Sequence, residues 1–345
     1  MILCGFGNVG RTFAQLMNDQ KQAVADKYGL ELELTAVVDI GGAAVAKGEA
    51  LPVTRLLSHV KQGNSVETFE SYGQPGLGGK ALLASVTAEI LVETTPTNLV
   101  DAEPGRGHML AALKSGKDIV TANKGPLVLF YKEIMDLAKK KKRHIYMSAA
   151  TAAALPTLDV GLLCLAGAKV LAIEGILNGT TNYILTRMTT EKCSYEVALQ
   201  AAQEMGIAET NPSLDVEGLD TRNKMILIAN RLFDKNFSPV DVPVEGITGI
   251  TLDDIEKAKR EGTVIKLIGE CRMEDGTVML EVGPKRLGKD HPLSTVNFSE
   301  KGISYLSDTM GRVTVIGGKS SPVGAAAALL KDLIHASLFS AGGGI

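Results

Sequence analysis

Three candidate acidic side chains, Glu209, Asp215 and Asp220, and a lysine, Lys224, lie within sixteen residues in the second half of the chain. Asp220 and Lys224 are four residues apart, which places both side chains on one face of a helix predicted from Val216 to Phe233. Asp215 lies at the entrance of this helix, and Glu209 lies just upstream. Carboxylates that converge beside a lysine can hold a small cationic group, so the segment predicts a pocket for an amino acid substrate. The simpler alternative is a solvated surface pair between Asp220 and Lys224.

A glycine-rich turn follows the first apolar run of the chain. Its pattern G-x-G-x-x-G, between a predicted strand and a predicted helix, is typical of dinucleotide binding. The first glycine permits a tight turn, the second lets a pyrophosphate approach the backbone, and the third lets the helix pack on the strand. Backbone amides at the start of the helix would face the phosphate oxygens. The candidate cofactor-binding residues of this turn are Gly5, Phe6, Gly7, Asn8, Val9 and Gly10.

The second predicted strand, residues 32–38, ends in Asp39. An acid at this position can accept hydrogen bonds from the adenosine ribose and repels a 2′-phosphate, so Asp39 favours NAD over NADP. The acid comes later than the usual spacing of about twenty residues, because the first helix is predicted to run to about Lys27. NADP therefore stays open as an alternative, with Arg11 and Lys47 as the nearest cations.

Polar residues also follow two later strands. Thr94 and Thr95 come after the apolar run at 90–93, and Lys124 comes after the run at 118–121. The carboxyl ends of strands in a doubly wound sheet face the ligand crevice. We therefore expect both threonines beside the cofactor and Lys124 on the nicotinamide side, although a lysine in a loop is more often simply solvated.

Length and element order predict an α/β protein of two domains, since 345 residues exceed what one core usually serves. A Rossmann-type dinucleotide-binding domain is predicted over residues 1–130, completed by a C-terminal helix within 318–345. Residues 131–317 are predicted to form an α+β domain that binds the substrate. Its strands suggest a mixed or antiparallel sheet covered by helices on one side, with a hairpin turn at Glu274-Asp275-Gly276.

Composition excludes several functional classes. The net charge of −3 offers no broad basic surface for nucleic acid. The four cysteines, at positions 4, 164, 193 and 271, show neither close pairing nor the spacing of metal ligands. The sequence has no apolar stretch of the roughly 18 residues that a membrane span needs, and no signal peptide is apparent at its start. We expect a cytoplasmic protein that binds neither nucleic acid nor a membrane.

Four motifs together resemble homoserine dehydrogenases, in the order seen in that family and over nearly the whole chain. The last motif is specific to the family, whereas the glycine pattern is shared by many oxidoreductases. The motifs are Gly5-Phe-Gly-Asn-Val-Gly10, Thr121-Ala-Asn-Lys124, Glu174-Gly-Ile-Leu-Asn-Gly-Thr-Thr-Asn-Tyr183, and Gly206-Ile-Ala-Glu209 followed by Asp215-Val-Glu-Gly-Leu-Asp220-x-x-x-Lys224.

The resemblance implies reversible, NAD(P)-dependent interconversion of L-aspartate 4-semialdehyde and L-homoserine, a step of threonine and methionine biosynthesis. It implies a homodimer formed through the second domain. Lys224 and Lys124 are the candidates for proton transfer, and Asp220 would orient Lys224 and bind the substrate hydroxyl. The remaining residues expected to contact the substrate are Glu209, Asp215, Gly179 and Thr180.

The chain departs from the family pattern at three places. Ile207 stands where many members have a tyrosine that can bind the substrate. The family commonly has a glutamate after the strand at 145–148, where a sodium ion can bind, and this chain has an alanine-rich segment without an acid. Sodium is thus a candidate ligand only through the carbonyl oxygens of Thr151, Ala153 and Leu155. In the glycine-rich turn that helps to cover the cofactor, a lysine and serines replace glycines at 319–321.

These departures leave two alternatives beside the family's activity. The first is an NAD-dependent dehydrogenase of another amino-acid-derived alcohol or aldehyde, motivated by Ile207 and the alanine-rich segment. The second is a non-catalytic NAD-binding sensor that keeps the scaffold. Retention of both lysines and of Asp220 argues against the sensor.

Overall fold

The structure, a computed structural model, describes residues 1–318 and 321–340. The chain divides into two compact units, residues 1–153 with 321–345 and residues 154–320. Within the described residues, no helix combines the length and the apolar character that crossing a membrane requires.

The first unit is a sheet of short strands with helices between them. Its strands are β1 (Ile2–Cys4), β2 (Ala36–Asp39), β3 (Gly42–Val45), β4 (Gly73–Pro75), β5 (Ile90–Glu93), β6 (Asp118–Thr121) and β7 (Ile145–Tyr146). Its helices are α1 (Asn8–Tyr28), α2 (Val53–Lys61), α3 (Gly79–Ser85), α4 (Gly105–Lys114), α5 (Gly125–Leu129), α6 (Tyr131–Lys141), α7 (Ser148–Ala152) and, from the C-terminal segment, α14 (Pro322–Ser340). A 3₁₀ turn spans Val66–Thr68.

Strand order explains how distant residues of the first unit meet. The sheet runs β4-β3-β2-β1-β5-β6-β7, with β2, β1, β5, β6 and β7 parallel and with β3 and β4 antiparallel. Cys4 of β1 is opposite Val38 on one side and Glu93 on the other. The carboxyl ends of β1, β2, β5 and β6 therefore lie along one edge of the sheet. The Rossmann-type fold predicted from the sequence is confirmed.

The core of the first unit joins α1, the sheet and α14. The apolar faces of the two helices carry Phe13 and Met17 of α1 and Leu329 and Leu333 of α14, all buried in one cluster. Burial of such a side chain contributes roughly 1.5 to 3 kcal/mol to folding. This explains why an alanine- and leucine-rich segment at the far end of the sequence packs with the first unit.

The structural division differs from the domain boundary predicted after residue 130. Strand β7 pairs in parallel with β6, with Ile119 opposite Ile145, so the segment 131–153 belongs to the first unit. The sequence predicts the strand at 145–148, but a strand this short has no hydrophobic period that would indicate which sheet it joins. Strands β3 and β4 and helices α2 and α3 have no counterpart in the sequence prediction, because short, glycine-punctuated segments carry weak periodic signals.

The second unit contains long antiparallel strands and six helices among its described residues. Its strands are β8 (Val170–Ile176), β9 (Thr263–Glu274), β10 (Thr277–Gly288), β11 (Lys301–Ser307) and β12 (Gly311–Gly317). Its helices are α8 (Thr157–Asp159), α9 (Gly179–Glu191), α10 (Tyr195–Glu204), α11 (Ser213–Val216), α12 (Leu219–Phe233) and α13 (Leu252–Arg260). A π turn at Val160–Cys164 and a 3₁₀ turn at Pro239–Asp241 complete it.

The sheet of the second unit has the order β10-β9-β8-β11-β12 and is antiparallel throughout. Helices α9, α12 and α13 pack against it. The predicted hairpin turn is present, and Asp275 and Gly276 both have positive φ, as a two-residue hairpin loop requires. Strand β10 continues from this turn to Gly288.

The helix predicted from Val216 to Phe233 is interrupted. Helix α11 ends at Val216, and Gly218 adopts φ +79 before α12 begins at Leu219. That left-handed conformation favours glycine, and it turns the chain between the two helices. Asp215 consequently lies on a separate short helix, whereas Asp220 and Lys224 share α12.

Candidate functional site

The glycine turn after β1 has the backbone geometry of a phosphate cradle. Gly5 has φ +89, and a Cβ there would lie 2.7 Å from the amide nitrogen of Thr95. A Cβ at Gly10 would overlap the carbonyl oxygen of Gly5. At Gly7, in contrast, a Cβ would have no described atom within 4 Å. The first and third glycines are thus required by the chain itself, and the second leaves open space in front of α1.

Helix α1 begins at this open space. Among the described residues no side chain caps its N-terminus, so its first amides are available to an anion. Asn8 is engaged along the helix instead, because its Oδ1 accepts a hydrogen bond from Arg11 Nη2 at 3.1 Å. Phe6 is buried in the core below the turn, and Val9 is partly buried against the same core. The donor set and the empty volume fit the pyrophosphate of a dinucleotide.

One of the two threonines predicted beside the cofactor also holds the glycine turn in place, and the other joins a neighbouring acid. Thr94 Oγ1 donates to the carbonyl oxygen of Gly5 at 2.8 Å and lies 3.1 Å from that of Cys4. The amide of Thr95 donates to Glu93 Oε1 at 2.8 Å, and its hydroxyl contacts the same oxygen. Both side chains therefore connect the end of β5 to neighbouring groups.

A buried polar network that was not predicted from the sequence contacts Thr95. Glu93 is fully buried, and its Oε2 lies 2.9 Å from His108 Nδ1. Asn123 Nδ2 donates to Thr95 Oγ1 at 3.1 Å, and Asn123 Oδ1 accepts the amide of Gly125 at 3.0 Å. The network links the ends of β5 and β6. Its signal in the sequence is an acid that ends an apolar strand and must find buried partners.

The other predicted cofactor residues lie at the same edge of the sheet. Asp39 is the last residue of β2 and is half-buried, and the preceding residue, Val38, accepts the amide of Gly5 at 2.9 Å. Lys124 follows β6 closely and precedes α5, and its amide lies 3.4 Å from Thr97 Oγ1. The structure thus places Asp39 beside the glycine turn and Lys124 beside the polar network.

Each of the three residues of the candidate sodium site has a role in the local backbone structure. Thr151 lies in α7 and donates its hydroxyl to the Ser148 carbonyl at 2.9 Å. Ala153 follows that helix with φ +54, and the carbonyl oxygen of Leu155 accepts the amide of Thr157 at 2.8 Å. Of the glycine-rich turn at 317–322, Lys319 and Ser320 lie outside the described residues.

In the second unit, one amide side chain connects two of the predicted acids. Asn178 caps α9, with its Oδ1 accepting the amide of Thr181 at 3.0 Å. Its Nδ2 donates to Asp215 Oδ1 at 2.6 Å and to Asp220 Oδ2 at 3.0 Å. Asn178 holds the ends of β8, α11 and α12 together. Asn178 lies in the motif at 174–183, but the sequence did not predict that it bridges the two acids.

Lys224 completes this cluster. Its Nζ donates to Asp220 Oδ2 at 2.5 Å and to the carbonyl oxygen of Leu177 at 2.8 Å. The side chains of Lys224 and Asp220 are only 15% and 16% exposed. The alternative of a freely solvated surface pair is therefore wrong. An ammonium with two fixed acceptors is oriented, and its third N–H group is available for a substrate oxygen.

The electrostatics of Asp215 favour a bound cation. Burial raises the pKa of this carboxyl group, and the nearby charge of Asp220 raises it further, while the hydrogen bond from Asn178 opposes the change. Two carboxylates that share one amide repel each other in a partly desolvated place. A positively charged group placed between them would relieve that repulsion, as the ammonium of an amino acid would do.

The remaining predicted substrate residues are placed unequally. Thr180 is buried in the first turn of α9, and its hydroxyl donates to the carbonyl oxygen of Ile207 at 3.1 Å. A Cβ at Gly179 would lie 2.9 Å from the Ser299 carbonyl, so the helix start packs closely on that loop. Glu209 is solvent-exposed, and its carboxylate forms no ion pair with any described residue. Glu209 and Asp215 are the acids predicted to converge, but Asn178 bridges Asp215 and Asp220 instead, and no hydrogen bond among the described residues joins the Glu209 carboxylate to either.

Comparisons with known proteins agree with both halves of this arrangement. A family model described as "Homoserine dehydrogenase, NAD binding domain" matches residues 5–148, and one described as "Homoserine dehydrogenase" matches residues 156–334. The chain belongs to the homoserine dehydrogenase family. The first model spans the glycine turn with β5 and β6, and the second spans the Asn178 cluster.

Full-length relatives support membership in the homoserine dehydrogenase family. The chain is 36% identical to the homoserine dehydrogenase of Methanocaldococcus jannaschii, over 97% of each chain. It is 34% identical to an NAD(+)-dependent homoserine dehydrogenase of Pseudomonas canavaninivorans, over 97% of this chain and 95% of the relative. The crystal structure of the homoserine dehydrogenase of Thermoplasma acidophilum matches with a TM-score of 0.80 at 25% identity, over 97% of this chain and 98% of the other.

Proposed function

We propose that the protein oxidises L-homoserine to L-aspartate 4-semialdehyde with NAD and catalyses the reverse reduction. The observation that carries this proposal is the cluster of Asn178, Asp215, Asp220 and Lys224, which presents an oriented ammonium beside two carboxylates. The chain that carries this cluster belongs to the homoserine dehydrogenase family. An amino acid that carries an alcohol has the complementary groups, a cation for the acids and a hydroxyl for the lysine.

The acids would bind the amino group of the substrate. Asp215 has the stronger structural support, because its carboxylate is partly buried and repelled by Asp220. Glu209 would need to turn inward from solvent when the substrate binds, and its role stays a prediction. The first turn of α9, with Gly179 and Thr180, would offer backbone amides to the substrate carboxylate.

Lys224 would move the proton. During oxidation the hydroxyl proton passes to a neutral Lys224 as two electrons leave the alcohol carbon as hydride, and during reduction the lysine returns the proton to the forming alkoxide. NAD, when bound, supplies the hydride acceptor. Asp220 orients the lysine through the 2.5 Å hydrogen bond. Lys124 is the second candidate for this proton, from the first unit.

NAD is the proposed coenzyme, with NADP as a weaker substrate. Asp39 ends β2 beside the glycine turn, where its charge would oppose a 2′-phosphate. The relative from Pseudomonas canavaninivorans that is named NAD(+)-dependent supports the same preference. An Asp39→Ala variant should therefore lower the ratio of NAD to NADP activity.

Two further proposals concern assembly and ions. We expect a homodimer formed through the second unit, as the family resemblance implies, which light scattering of the purified protein would test. Sodium binding by Thr151, Ala153 and Leu155 is the weaker proposal, since Leu155 already uses its carbonyl oxygen as an acceptor and no acid stands in the segment. Replacing sodium by a large organic cation in the assay would test it.

The decisive experiment is a spectrophotometric assay of NADH formation from homoserine, with each coenzyme in turn. A panel of 3- and 4-hydroxy amino acids should be included, because Ile207 replaces a tyrosine common in the family. Rapid oxidation of homoserine is the expected result. Preference for another hydroxy amino acid would replace the substrate and keep the chemistry. NAD binding without turnover of any alcohol would favour the sensor.

A further inference from the structure

A third lysine, Lys301, lies in the second unit close to Asp220 and Lys224. It is the first residue of β11 and is only 1% exposed. Burying a lysine to this degree is costly unless nearby polar or charged groups compensate for the lost hydration of its ammonium. The surroundings of Lys301 therefore indicate what the ammonium does there.

Strand pairing locates Lys301 beside the backbone group that holds Lys224. Gly302 of β11 is opposite Ile176 of β8 in an antiparallel ladder. The next residues along this ladder are Lys301 on one strand and Leu177 on the other. The carbonyl oxygen of Leu177 accepts the Nζ of Lys224 at 2.8 Å. The backbone thus brings the two lysines to the same end of β8.

Strand alternation shows which side of the sheet Lys301 occupies. Lys301 shares a face with Ile303 and Tyr305, both fully buried. On the opposite face Ser304 pairs with Glu174, whose carboxylate is bound by His291 and Arg312. Lys301 is therefore on the side of the core, away from that charged group.

Two charged residues of α12 act on Lys301. Burial lowers the pKa of Lys301 to about 8, and among charged neighbours Lys224 lowers it while Asp220 raises it. From β12 the residue opposite Lys301 is Gly317, which carries no charge. From β8 the acid is Glu174, on the other face. Lys301 thus faces the same carboxylate that orients Lys224.

We propose that Lys301 is a positioning residue that keeps Asp220 paired while Lys224 gives up and regains its proton. This inference rests on the proposed function. When Lys224 is neutral and ready to accept the proton of the alcohol, Asp220 is a half-buried carboxylate that has lost the positive charge of Lys224. Such a charge is costly. A second ammonium at Lys301 compensates it, so that Lys224 can exchange its proton without Asp220 moving or becoming protonated.

The test compares three variants in homoserine oxidation with NAD, measured from about pH 6 to about pH 10, a range that brackets the titration of a perturbed lysine. Lys301→Met removes the charge with little change in volume and should lower kcat/KM about 10- to 100-fold, part of what proton transfer contributes. Lys301→Arg keeps a permanent charge. It should retain more activity, and the inflection near pH 8 expected of the parent should be absent from its profile.

Lys266→Met is the matched control, because Lys266 is also a buried lysine of the second unit. Burial also lowers the pKa of Lys266 to about 8. Its Nζ, however, donates to neutral oxygens, with the Val296 carbonyl at 2.5 Å and Asn182 Oδ1 at 3.0 Å. This variant should lose stability and keep the inflection near pH 8.

The outcomes separate this inference from the proposed function. If neither the parent enzyme nor any variant oxidises homoserine at any pH, the proposed function is wrong. If the parent is active and the profile of a folded Lys301→Arg enzyme superimposes on it, the role of Lys301 is wrong. Should Lys301→Met fail to fold, as judged by circular dichroism, the arginine variant alone decides. If the inflection near pH 8 disappeared in Lys266→Met, it would belong to Lys266 and not to Lys301, and the inference would be overturned.

Discussion

The two units build their candidate sites from different materials. In the first unit, the shape of the glycine turn and the free amides of α1 come from the backbone, and side chains such as Thr94 hold that backbone in place. In the second unit, the site consists of the side chains of Asn178, Asp215, Asp220 and Lys224, which come from three separate helices or their caps.

This difference determines how each site can fail. A backbone cradle tolerates many side-chain changes but not an added Cβ where the chain is already in contact with itself. A side-chain cluster tolerates changes in shape better than changes in charge, since each member compensates another in a partly desolvated place. The comparison predicts opposite responses to small steric changes and to charge removal in the two units.

The largest effect is expected from removing the oriented ammonium of the second unit. Lys224→Met should lower kcat for homoserine about 10²- to 10⁴-fold, the usual contribution of a positioned proton donor or acceptor. NAD binding, measured by titration without substrate, should stay unchanged. Lys257→Met, in the exposed part of α13 of the same unit, is the control for loss of one positive charge. An active Lys224→Met enzyme would assign the proton to another group, with Lys124 as the next to test.

The backbone cradle is tested by two glycines that differ only in their surroundings. Gly7 has φ −73 and open space, so Gly7→Ala should leave the unfolding temperature unchanged. Its methyl group would occupy the approach of the pyrophosphate and weaken NAD binding about 10- to 100-fold, as one methyl group can in a tight site. Gly10→Ala should instead destabilise the protein, because its Cβ overlaps the Gly5 carbonyl. Equal stability of the two variants would contradict the described turn.

The same contrast explains what could be predicted from the sequence. The glycine turn and β6, predicted at 118–121 and found there, depend on residues close in sequence. The bridge made by Asn178 joins it to Asp215 and Asp220, 37 and 42 residues away, and no local pattern encodes such a contact. Lys301 is more distant still.

Local patterns also misled where a single glycine decides the geometry. The apolar spacing after Val216 is helical, but Gly218 adopts a left-handed conformation and separates α11 from α12. Glu209 shows the opposite limitation. Its place in the family motif predicts a substrate contact, yet exposure to solvent depends on how the loop after α10 folds, which residue types alone do not specify.

A smaller effect is expected from the polar network that supports the cradle. His108 is a hydrogen-bond partner of Glu93, whose carboxylate has no exposure to solvent. His108→Gln should weaken this contact and lower the free energy of unfolding by about 2 kcal/mol. NAD binding should weaken only modestly, because Thr95 keeps its own contacts with Glu93. His144→Gln, at an exposed histidine of the same unit, is the control in urea unfolding. Unchanged stability of His108→Gln would show that the network has other sufficient partners.

The smallest effect concerns the cost of keeping an acid in the side-chain cluster. Burial raises the pKa of Asp215 above its unfolded value of 3.8. Between those two values the folded chain binds more protons than the unfolded chain, so stability falls as the pH rises through this window and stays lower above it. Asp215→Asn removes the charge and can still accept the hydrogen bond from Asn178. Its unfolding temperature should exceed that of the parent by about 1 to 2 °C at neutral pH.

The same variant should bind homoserine about 10-fold less tightly, as expected when a hydrogen bond to a charged partner loses its charge. Asp241→Asn provides the control with the opposite sign, because hydrogen bonds from Ser238 lower the pKa of Asp241 and its charge therefore adds stability above that pKa. If Asp215→Asn were instead less stable than the parent at neutral pH, the carboxylate would serve the fold before the substrate. The second unit would then resemble the first, because its polar groups would stabilise the fold. They would not lower its stability in order to bind the substrate.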